Sequence, residues 1–154
     1  MAAGPFVFPD KAKLNFFSAT GLLAANTANY RLALVGSGYT PSNSTDEVWA
    51  DVSANEIANG NGYTTGGGAL TGVTLNQTSG TVKFTANAYV WTASGGSIPA
   101  WRRGVVYYLG TLNGKVNPIV GHFLGDSTPA DVPATTAGNT LTVTPNAAGI
   151  LTAA

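Results

Sequence analysis

The chain has 154 residues, with 7 Lys plus Arg against 7 Asp plus Glu, one His and no Cys; only 9% of it is charged, where roughly 25% is usual for a soluble domain. That is one domain's length, and the zero net charge removes the attraction on which nucleic-acid and anionic-membrane binders depend, so neither partner is expected. The lack of cysteine excludes disulfides, thiolate zinc sites and a cysteine nucleophile, and no apolar run approaches the roughly 18 residues of a membrane-spanning helix.

Residues 1–29 show no period-two alternation. They carry Phe6, Val7, Phe8, Phe16, Phe17, Leu22 and Leu23 with few charges, and read as an N-terminal arm ahead of a β domain over 30–154. Asp10 can N-cap a short helix over 11–19, with Gly21 ending it. Lys11 and Lys13 precede an apolar stretch, the order found in secretion signals. Asn15, Ser18 and Thr20 interrupt that stretch, and Pro5 and Pro9 sit where the leading basic region belongs, which argues against one. The arm aromatics Phe6, Phe8, Phe16 and Phe17 either fold back onto the core or dock on a neighbouring subunit. They are therefore protein-interface candidates.

From Tyr30 the pattern is β. A strand over 30–35 ends in the turn residues of 36–41. The longest insertion follows, 42–68, with a short helix expected around 46–50 and then Asn59-Gly60-Asn61-Gly62 and Gly66-Gly67-Gly68. Strands over 71–76 and 81–86 alternate Val73, Leu75, Val82 and Phe84 with threonine and other polar residues, and 89–92 continues the sheet. Asn113-Gly114 marks a type I′ hairpin between 104–109 and 116–124. This register sets Tyr108 opposite Ile119, Tyr107 opposite Val120, Val106 opposite Gly121 and Val105 opposite His122. Both faces of the hairpin are then apolar or aromatic, so both must be covered, and self-association is one way to cover them. Pro118 lacks a ladder donor and predicts an edge or a bulge. A last strand over 139–144 precedes a tail of small residues over 147–154. Seven short strands predict an all-β fold, an antiparallel β-sandwich that is jelly-roll-like, with a partly open barrel as the alternative.

Groups for chemistry are few. His122 lies mid-strand with no acidic residue within three positions, which reads as a satisfied core or interface histidine. Asp46, Glu47, Asp51 and Glu56 cluster in sequence but do not match the alternating calcium-loop spacing, so caps and solvated loop charges are expected, and no metal or cofactor. The stretch Gly60 to Gly66 has one residue too many for G-x-G-x-x-G and no lysine for a phosphate loop; it reads as turns. Arg102 and Arg103 beside Trp101 read as an edge-strand charge or an interface anchor. Trp49, Trp101, Tyr107 and Tyr108 complete the interface candidates. With Trp91, the tryptophans are also candidate platforms for sugar stacking.

Tyr30 to Val35, Tyr39-Thr40-Pro41, Glu47 to Ile57, and Gly60-Asn61-Gly62-Tyr63-Thr64-Thr65-Gly66-Gly67 with Ala69-Leu70 resemble a recurrent small structural protein of tailed bacteriophages. Val82 to Phe84, Val90-Trp91 and Val105 to Tyr108 follow in the order that family shows, so the resemblance covers about residues 30–125. It implies a non-enzymatic virion component, a capsid decoration or cement protein. Such a protein binds the shell of major capsid protein, is assembled in the host cytoplasm and favours a homotrimer. The alternative is a glycan-binding module at the phage tail or surface. The aromatic arm and the Thr/Ala-rich C-terminal end depart from the family pattern.

Overall fold

The computed structural model describes residues 4–7, 9, 27–78, 81–128, 130–147 and 149–153. Among them are twelve strands, paired antiparallel throughout, and three short 3-10 turns at Thr27–Asn29, Trp49–Asp51 and Ser53–Asn55. The fold is all-β, as composition and alternation predict.

A five-stranded sheet organises the molecule, in the order β1 (Phe6–Val7), β10 (Ile119–Leu124), β7 (Arg103–Tyr108), β2 (Tyr30–Val35) and β3 (Gly68–Ala69). Successive side chains of a strand point to opposite faces, so a strand apolar at both parities needs a cover on each side. That holds for β2 and β7. Tyr30, Leu32 and Leu34 join Val106 and Tyr108 in one core, while Ala33 and Val35 join Val105, Tyr107 and Ile119 in a second.

The first core is completed by Phe84 of β5 (Thr81–Thr85), Trp91 of β6 (Tyr89–Thr92), and Leu141 and Val143 of β11 (Thr140–Val143). The second is closed by Tyr39, Trp49 and Val52 from the connection between β2 and β3. Both covers of the hairpin are thus made by the chain itself. The two apolar faces therefore need no second copy to cover them.

The hairpin turn is as the sequence predicts, with Asn113 and Gly114 at φ of 50° and 73° between β8 (Thr111–Leu112) and β9 (Lys115–Val116). Val106 faces Gly121 and Val105 faces His122, as expected. A bulge between Ile119 and Gly121 then sets Ile119, not Val120, opposite Tyr107. Pro118, whose carbonyl still accepts Tyr108 N–H at 3.0 Å, also bridges to Val48, where Trp49 N–H donates to Asn117 O at 2.8 Å and Ile119 N–H donates to Glu47 O at 2.9 Å.

Two further readings are corrected. The helix expected around 46–50 is replaced by the 3-10 turns at 49–51 and 53–55. The small-residue tail contains β12 (Leu151–Ala153), which pairs with β5 on the edge opposite β4 (Thr74–Thr78). Residues of the proposed arm form β1 within the main sheet. The helix expected over 11–19 lies outside the described residues.

Candidate functional site

Six of the chain's seven carboxylates are described, and each holds a structural partner. Asp46 Oδ2 accepts the Tyr39 hydroxyl at 2.6 Å and Ser42 N–H at 2.8 Å, closing the turn after β2. Asp51 Oδ2 accepts Glu47 N–H and Val48 N–H, both at 2.9 Å, and fixes the entry into the 3-10 turn that carries Trp49. Asp126 takes the amide and hydroxyl of Thr128, Asp131 pairs with Arg102 at 2.7 Å, and Glu47 pairs with Lys115 at 2.9 Å. Charged acceptors on free amides are the strong, local kind of hydrogen bond that holds loops.

Glu56 anchors the loop that follows the 3-10 turns. Its Oε1 accepts the Tyr63 hydroxyl and Gly66 N–H, both at 2.7 Å. Tyr63 Oη in turn accepts Leu34 N–H at 3.0 Å, tying the loop to β2, and Tyr107 donates its hydroxyl to Gly66 O at 2.7 Å. Burial raises the pKa of the Tyr63 phenol, and its bond to Glu56 acts in the same direction. Both groups therefore act as structural pins. Nothing in the sequence links Glu56 to Tyr63; their seven-residue separation becomes a contact only once the Gly60-Asn61-Gly62 turn forms, with φ of 116°, 56° and 96°.

His122 is only 3% exposed, yet among the described residues neither ring nitrogen has a hydrogen-bond partner, which corrects the expectation of a satisfied histidine. Burial lowers its pKa from 6.5 to about 4; Arg103 acts in the same direction and Asp46 opposes. A general base needs a partner to orient it and a pKa near the working pH, and this imidazole has neither. Arg103 lies on β7, flanked by β2 and β10, so it is not an edge residue, and its Nε is also buried without a partner among the described residues. No group of three or more metal-ligating side chains occurs among the described residues.

No known protein family matches the chain, nor does any curated protein or solved structure.

Four interface candidates are corrected by burial. Trp49, Trp101, Tyr107 and Tyr108 are 8%, 2%, 2% and 7% exposed, because the chain's own elements cover them. Tyr107 and Tyr108 lie on opposite faces of the inner strand β7. The Trp49 ring stacks on Tyr107, with centroids 4.9 Å apart and planes at 7°. Trp101 sits in a bridge to Val132, in the first core. Trp91, at 4%, is likewise unavailable as a sugar platform. Phe6 is half-buried and lies 6.5 Å from the Phe123 ring. Phe8, Phe16 and Phe17 lie outside the described residues.

An apolar cavity of about 40 Å³ lies beside Phe6, Leu32, Val106, Phe123, Val143 and Ile150. That is far below the roughly 300–1,000 Å³ of small-molecule sites. A solvent-open groove of about 470 Å³ runs between the Trp49 turn and the hairpin tip, where Val116 is 62% exposed.

Proposed function

We propose that the chain is a non-enzymatic structural protein of a tailed-phage virion, a decoration or cement protein that binds the major capsid protein on the outside of the shell and stabilises the head. One observation carries the non-enzymatic half of this reading: all six described carboxylates are engaged as structural clips, and the only imidazole is buried without a group to orient it. The resemblance over about residues 30–125 supports the virion half. Glu56, Tyr63 and Gly66, which lie within it, form a scaffold around β2 rather than a reactive site. The architecture assigned here is a jelly-roll-like sandwich, with the five-stranded sheet as one layer and the β6–β11 and β4–β5–β12 sheets as the other.

The lack of cysteine suits assembly in a reducing host cytoplasm. A cement needs only modest affinity per copy, because each bound copy stabilises the assembled shell by RT ln(1 + [L]/Kd). A trimer on the shell rests on the resemblance alone.

The test is co-sedimentation of the purified chain with phage heads that lack it. Saturable binding to a fixed number of sites per head, unaffected by added oligosaccharides, is the expected result. Failure to bind heads, together with binding on a glycan array, would replace this reading with the glycan-binding one.

A further inference from the structure

The edge strand β1 is only two residues long. It is held to β10 by the Phe6–Phe123 and Val7–His122 pairs, and the Gly4 N–H just before it donates to Leu124 O at 2.8 Å. Directly opposed residues of antiparallel strands project on the same face, so His122 stands between Val7 of β1 and Val105 of β7. Two residues from Val105 on that face is Arg103, opposite Leu124. From the connection after β2, Tyr39 sets its ring edge-on to the imidazole, with centroids 6.3 Å apart and planes at 89°. Its hydroxyl is committed to Asp46, which also takes Ser42 N–H. Among the described residues, the charged and titratable groups around the imidazole are therefore Arg103 from β7 and Tyr39 and Asp46 from this connection. β1 contributes only Val7 to this face, since Phe6 packs on the other against Phe123.

A neutral imidazole without a partner is tolerable in such a place, but an imidazolium is not. Its two N–H groups would lack acceptors, and a guanidinium would be its charged neighbour. Relief requires water, and the element that opens most cheaply is the one with the fewest pairs. β7 is held by a six-residue ladder to β2, and Tyr39 is anchored through Asp46. β1 has two pairs.

We propose that His122 is an acid-operated latch on the N-terminal strand: neutral, it lets β1 close on β10, and protonated, it drives β1 off the edge of the sheet while the rest of the fold stays intact. This inference stands independently of the virion reading. Because the closed-state pKa is depressed, to about 4 from 6.5, closure is at full strength above pH 6.5 and is lost as pH falls toward 4. If the released ring titrates at the ordinary value, the ratio of closed to open falls about twentyfold between pH 7 and pH 5.

Amide hydrogen exchange on the full chain, corrected for the intrinsic effect of pH, reads this out at Gly4. Its protection should fall about twentyfold over that interval while the β2–β7 ladder amides keep theirs. His122→Leu, which removes the titrating ring, should abolish the fall. Arg103→Met, which removes a charge that lowers the closed-state pKa, should shrink the fall and move the release midpoint to lower pH, and so gives a second reading should the leucine variant not fold. Unchanged Gly4 protection, an equal fall in His122→Leu, an unmoved midpoint in Arg103→Met, or ladder amides lost in step with Gly4 would each overturn the latch.

Discussion

Replacing Trp49 with alanine should destabilise the fold by about 3–5 kcal/mol and lower the melting temperature by roughly 10–15 °C. The indole lies flat on Tyr107 and, with Tyr39 and Val52, covers Ala33, Val35, Val105 and Ile119 on one face of the central sheet. Its own backbone N–H holds the hairpin through Asn117 O. Truncation removes a large apolar ring from a packed face and leaves a cavity that the flanking 3-10 turns, fixed by Asp51, cannot collapse to fill. Calorimetry of the purified variant checks this. An unchanged melting temperature with weakened association would show that Trp49 faces a partner, and would contradict the packing described here.

Gly67→Ala should cost about 3–5 kcal/mol, through backbone rather than side-chain contacts. Gly67 has φ of 70°, and a Cβ there would stand 2.0 Å from Leu32 O and 2.6 Å from Ala33 Cα. Relief means lifting β3 off β2, which breaks the Arg31–Ala69 and Leu32–Gly68 pairs and the bond from Arg31 Nη1 to Gly67 O. Gly95 supplies the control: its φ of 78° is similar, but nothing lies within 4 Å of the added carbon. Gly95→Ala should therefore cost only the left-handed backbone term, about 1 kcal/mol. Equal urea-unfolding losses for the two variants would show that steric approach at Gly67 contributes nothing.

The sequence made some of this legible and hid the rest for physical reasons. Asn113-Gly114 was readable because the positive φ of a type I′ turn is a local demand that few residues meet. The two-sided burial of β2 and β7 was readable from apolar residues at both parities. What covers those faces was not. Tyr39, Trp49 and Val52 sit in a segment without strand or helix periodicity and converge only when the chain folds back over the sheet. The same ignorance of burial made Trp49, Trp101, Tyr107 and Tyr108 look like interface residues, since nothing local distinguishes a core aromatic from an exposed one. β1 and β12 carry no strand signal of their own, and exist because β10 and β5 offer them an edge. Asp51 caps its 3-10 turn as its position suggests, whereas Asp46, expected as a cap or a solvated charge, is buried against Tyr39. The Glu56–Tyr63–Leu34 chain and the unpartnered imidazole depend on tertiary contacts that no spacing encodes.

The most direct test of a cement role is heat-induced DNA release from filled phage particles, compared with and without this protein. Particles that lack it should assemble and package normally but release DNA at a lower temperature, and adding the purified chain back should restore the original limit. Unchanged heat resistance in the depleted particles, with adsorption to host cells lost instead, would contradict the account.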